Sequence, residues 1–208
     1  MVDRGDGTLV ALPPGEGTSL SPLLSARRSV KELTDEPLAL AEVAGLLRHA
    51  AGVDGAGRPT YASARAQYLV SVTLVAGEVI GLRPGAYRYL DDRHALRTGT
   101  LGDLRPALAG ATVDAHWVTG APAVLVLSAD LTAADEYFAE LGSGQGDRFA
   151  WLEAGLITQN AYLWAAAVDL GVAFIGGLEQ AGLAGAGVVP DGENVLGLLP
   201  VGWPAGRP

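Results

Sequence analysis

RFAWLEAGLITQNAYLWAAAVDLGVAFIGGL, residues 148–178, is the stretch on which the fold of this chain turns. Apolar residues recur at helical spacing from Asp147 to Leu170 and predict one long helix. Gln159, Asn160 and Asp169 interrupt its most apolar part, Leu156 to Gly171, which is too short and too polar to span a bilayer. The helix is therefore expected in a core. Its apolar side chains nearly encircle it, so it needs cover on every side. One domain of 208 residues seldom supplies that, which predicts a dimer with the helix also packed against a second subunit. Beyond the helix, Phe174, Ile175, Gly176 and Gly177 form a turn whose glycines allow close backbone approach, or an ordinary helix-to-strand connection.

Outward from this stretch, AVLVLS (123–128) reads as a continuous apolar strand of central-sheet type, and Val195 to Val201 as the final strand. Tyr68 to Ala76 is a β-branched run typical of a buried strand, and Ala86 to Leu90 follows a turn at Arg83-Pro84-Gly85 with Tyr87 and Tyr89 on one face. Pro37 introduces a helix whose apolar positions Leu40, Val43, Leu46, Leu47 and Ala50 keep the helical period until Gly52 stops it. Ser21-Pro22 reads as an N-cap with proline at the first helical position, opening a short helix that runs towards Arg28. Leu101 to Leu108 suits a short helix, Thr132 to Leu141 an amphipathic one, and GSGQG (142–146) a loop. Residues 1–17, rich in glycine and carrying Pro13-Pro14, are expected as an extended arm ahead of one domain, 18–208.

Composition excludes several classes. With 49% hydrophobic and 18% charged residues the chain is globular, and its formal charge of −9 opposes a nucleic-acid or anionic-membrane partner. No cysteine is present, so disulfides and thiolate metal ligands are excluded. His49, His94 and His116 lack the spacing of a zinc helix, and no metal is expected. The opening MVDRGDGTLV lacks the apolar run of a secretion signal, which makes cytoplasmic residence the expectation.

Against this acidic background, Arg27, Arg28, Ser29 and Lys31 place three cations and a hydroxyl within five residues. That inventory suits a phosphate held by charge-assisted hydrogen bonds, and it equally suits a solvated helix end complementing the helix dipole. The GSGQGDR stretch is not a phosphate loop, because no strand precedes it and no lysine accompanies its glycines.

Five segments in order resemble the nitroreductase superfamily, specifically its SagB-type, azoline-dehydrogenase branch. ALPP (11–14) with SLSPLLSARRSVKEL (19–33) comes first, then PLALAEVAGLLRHAAGV (37–53), PGAYRYLDDRHAL (84–96), the 148–178 stretch and LGLLPVGWP (196–204). The resemblance implies an α+β nitroreductase-like fold, a mixed β-sheet flanked by helices with a long central helix. It also implies a homodimer with FMN bound at the subunit interface. Arg27, Ser29 and Lys31 match the family's phosphate-gripping element, with Arg28 near the flavin, and Phe174, Ile175, Gly176 and Gly177 match the element along the isoalloxazine ring. Arg207 matches a C-terminal phosphate contact of some relatives, or is a frayed tail.

Two departures stand out. The family's PSAGALYP-like segment is Pro59-Thr60-Tyr61-Ala62-Ser63-Ala64-Arg65-Ala66 here, with Ser63 and Arg65 at positions bordering the flavin's pyrimidine edge; Arg65 is equally readable as a surface residue. The Lys-Tyr pair of azoline dehydrogenases falls on Leu141-Gly142, neither of which moves a proton, so no catalytic residue is assigned. Tyr137 and Glu140 are nearby substitutes. The resemblance thus implies oxidation of azoline rings to azoles in a peptide natural product. NAD(P)H-dependent reduction of nitro or quinone compounds, and a noncatalytic partner subunit of a biosynthetic complex, stand as alternatives.

Overall fold

In the computed structural model, which describes residues 10–183 and 185–206, the apolar run at 123–128 lies at the middle of a six-stranded sheet. The first half of the chain contributes α1 (Ser21–Ala26), β1 (Leu38–Ala39), α2 (Leu40–Ala51), β2 (Ser71–Ala76), β3 (Val79–Ile80), β4 (Gly85–Leu90) and β5 (Ala95–Leu101). The second half contributes α3 (Arg105–Ala109), α4 (Ala115–Thr119), β6 (Ala123–Ala129), α5 (Leu131–Tyr137), α6 (Gln145–Ala167), β7 (Gly171–Val172), α7 (Gln180–Leu183) and β8 (Asn194–Gly202). Strand order is β5-β4-β2-β6-β8-β7, antiparallel at each seam, and β1 and β3 form a separate parallel pair.

Successive strand side chains point to opposite faces, and both faces of this sheet are covered. Leu125 and Leu127 of β6 join one core with α2 and α6, while Val124 and Val126 join a second with α3, α4 and α7. That double burial is why the strand reads as an unbroken apolar run instead of an alternating one. On the first face α6 packs along α2.

Several boundaries differ from expectation, each for a local reason. The long helix starts earlier, at Gln145, because the Asp135 carboxylate accepts hydrogen bonds from the free amides of Gly144 and Gly146 at 2.9 and 2.8 Å. It ends earlier, at Ala167, and Asp169 then turns at φ 56°, which no helix continues through. The strand expected from Tyr68 begins at Ser71, since Tyr68 stands at φ 49°. Strand β5 has no signal in the sequence: as an edge strand with exposed Arg97, Thr98 and Thr100, it shows no apolar alternation. It absorbs Leu101, so the following helix waits for Arg105 and Pro106. Ser21 lies inside α1 instead of capping it, and its hydroxyl accepts from the Thr18 amide at 2.9 Å. The Thr132 to Leu141 piece divides into α5 and a 3-10 turn at Ala139–Leu141.

Residues 10–20 carry no helix or strand and are exposed; the rest of the expected arm, 1–9, lies outside the described residues. Among the described residues no helix is long and apolar enough to cross a membrane.

Candidate functional site

Helix α1 ends at Ala26, and the chain then runs extended, with the Val30 amide donating to the Val172 carbonyl of β7 at 2.9 Å. This pairing carries the basic segment past the C-terminal half of α6. There Tyr162 organises it. The Tyr162 hydroxyl lies 3.0 Å from Ser29 Oγ and accepts from the Phe174 amide at 2.9 Å, while the Arg27 guanidinium sits 5.2 Å from the Tyr162 ring centroid. One phenol thus joins the basic segment to the turn after β7. Arg27 has no carboxylate partner among the described residues, so its charge is available to an anion.

The remaining cations diverge. Lys31 lies over Trp117 of α4, 4.5 Å from the ring centroid, and Arg28 folds back to donate to the Ser25 and Arg27 carbonyls at 2.6 and 2.9 Å. Arg28, Val30, Tyr162, Ala166 and Asp169 line a cavity of about 410 Å³. With Arg28 and Asp169 both in its wall, this cavity is of mixed sign and is not by itself a phosphate site.

The glycine turn divides by function. Ile175 is 2% exposed in the second core, and its amide and carbonyl both pair with Leu198 at 2.9 Å, so the expected ligand contact at Ile175 gives way to a structural one. The Phe174 ring lies against Gly197 and Gly176, where any side chain would collide with it. Gly176 is therefore required by Phe174. Gly177 is exposed with nothing near the place of a β-carbon, which leaves its backbone open to a flat ligand. Arg27 without a carboxylate partner among the described residues, the Ser29 hydroxyl and, through Tyr162, the turn that leads to Gly177 make up a donor set that fits a phosphate-bearing planar cofactor. Arg207 lies outside the described residues.

Ser63 and Arg65 occupy a second place, nearer the start of α6. Ser63 Oγ donates to Glu153 Oε1 at 2.6 Å and accepts from the Tyr68 amide at 2.8 Å; Glu153 Oε2 accepts from the Val70 amide at 3.2 Å. One helical face two turns on, Asn160 Nδ2 donates to the Thr60 carbonyl at 3.1 Å. These bonds hold a segment in which Arg65, Ala66 and Tyr68 stand at φ 52°, 56° and 49°. Such non-glycine left-handed backbone persists only where its surroundings over-determine it. Glu153 and Tyr162, nine residues apart, separate the two groups by about 13.5 Å along the helix axis.

Arg65 is ion-paired with Glu140, its guanidinium 5.5 Å from the Phe138 ring centroid. The hydrogen bond from Arg65 holds the Glu140 carboxyl below the usual range, which weakens it as a base. Tyr137 is half-exposed. Gly142, the second position of the missing pair, stands at φ 105° and ψ 160°, a conformation essentially reserved for glycine. Restoring a tyrosine there would strain the backbone.

Sequence reasoning missed Tyr162, Glu153 and Asn160. The signal for Glu153 was a lone acid inside an apolar helix, and for Asn160 a polar residue seven positions on. Glu153 is only 1% exposed, and burial raises its carboxyl above the ordinary value of 4.5. The stability this group contributes is complete below the unfolded value and is lost as pH rises through the raised folded one. Wild-type stability minus that of Glu153→Gln is therefore expected to fall from about pH 4.5 upward, by at most about 1.4 kcal/mol per pH unit. Urea unfolding of both proteins across this range measures the difference, and a difference that grows with pH would contradict the assignment.

A family model described as Nitroreductase family matches residues 24–203. A curated protein of Methanocaldococcus jannaschii described as a nitroreductase is 30% identical over 199 residues, 95% of this chain and 98% of its own. The crystal structure of a Ralstonia eutropha protein described as a nitroreductase is 27% identical, with a TM-score of 0.72 over 96% of this chain and 90% of its own. Two more distant structures share the fold. One, from Desulfovibrio desulfuricans, is in complex with FMN (17% identical, TM-score 0.62, 93% and 94% covered). The other belongs to the Escherichia coli microcin synthetase McbBCD complex (21% identical, TM-score 0.71, 95% and 78% covered).

Proposed function

The chain belongs to the nitroreductase family, with its α+β fold, and from that premise we propose that it is a homodimeric FMN-dependent oxidoreductase. The observation that carries this reading is Arg27, without a carboxylate partner among the described residues, beside Ser29, with Tyr162 linking Ser29 to the Phe174 amide in the turn that leads to the open backbone at Gly177. The FMN complex of the Desulfovibrio desulfuricans relative supports the choice of cofactor.

In this reading Arg27 and Ser29 would hold the phosphate by charge and hydrogen bonding, with Arg28 at its flank; Lys31 would join them by leaving the Trp117 ring, and Arg207, outside the described residues, is the expected further contact. Phe174 and the Gly176-Gly177 backbone would lie along the ring, and Ser63 and Arg65 would border its pyrimidine edge. Bound FMN would accept or donate a hydride. Two groups of residues at separated places on α6 suit a site completed by a second subunit. Trp151 and Leu152, 45% and 59% exposed on α6, offer apolar surface for that contact. An interface of this kind exceeds about 2,000 Å².

For the substrate, the ion-paired Glu140 and the glycine-only backbone at Gly142 favour chemistry that needs no protein base, namely NAD(P)H-dependent reduction of nitro or quinone compounds. A second reading, oxidation of azoline rings in a peptide, draws on the order of the five sequence segments and on the shared fold with the microcin synthetase component. In that reading a partner protein of a biosynthetic complex supplies the base.

The test combines FMN titration, sedimentation and turnover. The purified chain is expected to bind FMN, sediment as a dimer, and consume NAD(P)H steadily with a quinone while oxidising a thiazoline peptide weakly. A colourless monomer that takes up no FMN would remove the reading and favour a noncatalytic partner subunit. Robust azoline turnover by the chain alone, surviving Glu140→Gln and Tyr137→Phe, would reverse the order of the two substrates.

A further inference from the structure

Glu153 sits buried in an apolar helix, and three hydrogen bonds around it settle a property of Ser63 that composition leaves open. A serine hydroxyl has one proton to donate and two lone pairs. The Ser63 proton has two acceptors in reach, Glu153 Oε1 at 2.6 Å and the Ala64 carbonyl at 3.5 Å. The shorter bond, of the length expected for a hydroxyl on a carboxylate, takes it. The Val70 amide donates to Oε2, so the carboxylate meets donors on both oxygens and Ser63 cannot be its acceptor without losing that arrangement. One Ser63 lone pair is occupied by the Tyr68 amide at 2.8 Å. A single lone pair remains.

We propose that Glu153 is a positioning residue that fixes the Ser63 hydroxyl as a hydrogen-bond acceptor towards bound ligand, so that Ser63 selects the one donor on the pyrimidine edge of FMN, its N3–H. This rests on the FMN reading above. That edge presents two carbonyl oxygens flanking N3–H, and a hydroxyl whose proton is committed inward complements only the N–H between them. The strained backbone at Arg65, Ala66 and Tyr68 is consistent with a loop held for such a purpose, because Glu153 and Asn160 anchor both its ends to α6.

Glu153→Gln reverses the polarity without changing size. Val70 cannot turn its N–H away, so the amide oxygen faces Val70 and the amide NH2 faces Ser63. Both Ser63 lone pairs are then occupied, by the Tyr68 amide and the introduced side-chain amide, its proton is left to the Ala64 carbonyl or to solvent, and no lone pair remains for N3–H. Dissociation constants for FMN and for N3-methyl-FMN, read from flavin fluorescence, should differ by about 2- to 12-fold in favour of FMN in the wild type. The preference should persist in Ser63→Thr and vanish in both Ser63→Ala and Glu153→Gln, with thermal unfolding confirming that each variant is folded. Equal ratios in the wild type and Ser63→Ala overturn the proposal. So does a preference that disappears in Ser63→Ala but survives in Glu153→Gln, since steric exclusion of the methyl group would then explain it. FMN binding with unchanged ratios leaves the oxidoreductase reading standing, whereas failure of the wild type to bind FMN overturns both.

Discussion

The Arg27→Ala, Ser29→Ala double variant is expected to bind FMN roughly 30- to 2,000-fold more weakly than the wild type. A hydrogen bond to a charged group contributes about 1.5 to 3 kcal/mol and a neutral one about 0.5 to 1.5 kcal/mol, and each 1.4 kcal/mol is tenfold in affinity. The two residues share Tyr162, Ser29 through its hydroxyl and Arg27 over its ring, so their effects are coupled and the single variants need not add to the double one. Fluorescence titration of the apo chain measures the ratio, with Arg28→Ala as the informative comparison. The Arg28 guanidinium already donates to two backbone carbonyls, so its removal should weaken binding less than removal of Arg27. An unchanged dissociation constant in the double variant would put the phosphate elsewhere.

Phe138→Ala carries the largest expected cost in stability, about 3 to 5 kcal/mol. Phe138 is fully buried where α5 meets α6, with the Phe149 and Tyr137 rings at 4.7 and 4.9 Å between centroids. Neighbouring backbone is unable to close the resulting cavity: Gly146 of α6 already touches the Ala134 and Asp135 backbone so closely that even a methyl group there would collide. For a domain of this size the loss corresponds to a fall in Tm of roughly 6 to 20 °C. The neighbouring Tyr137→Phe, at a half-exposed ring, should change stability by no more than about 0.5 kcal/mol. Chemical unfolding of the two variants tests the contrast. A small effect of Phe138→Ala would mean that α5 and α6 repack freely, and the Arg65–Glu140 pair that rests against the Phe138 ring would then be free to move with them.

Much of this architecture is legible without coordinates because its signals are local. The period of Leu40, Val43, Leu46, Leu47 and Ala50 marks α2, and an apolar run with no polar alternation marks β6 as covered on both faces. Charge is local too: Arg27, Arg28 and Lys31 stand out of an acidic chain wherever they end up. Edge strand β5 escapes such reading, since Arg97, Thr98 and Thr100 bury nothing and their pairing is decided by β4 alongside.

Which side chains cooperate was decided only in three dimensions. Ser29 and Phe174 are far apart in sequence and meet because both reach the Tyr162 hydroxyl, while Lys31, two residues from Ser29, turns to Trp117 instead. Ile175 and Gly177 look alike in a motif, yet one is committed to the sheet and the other is open, because burial follows the pairing with Leu198. Glu153 is the sharpest case. Its helix reads correctly from periodicity, but periodicity carries no information about what lies opposite. A carboxylate buried in an apolar helix is tolerable only where donors converge on it, and those donors, Ser63 and Val70, come from a loop some 80 to 90 residues earlier in the chain. The sequence by itself determined most of the elements, the two-sided burial of β6 and a basic cluster in an acidic chain, because short-range period and charge encode them. The tertiary structure alone decided the partners of Ser29, Ser63 and Glu153, because hydrogen bonds between distant segments exist only once packing has set the distance and direction between them.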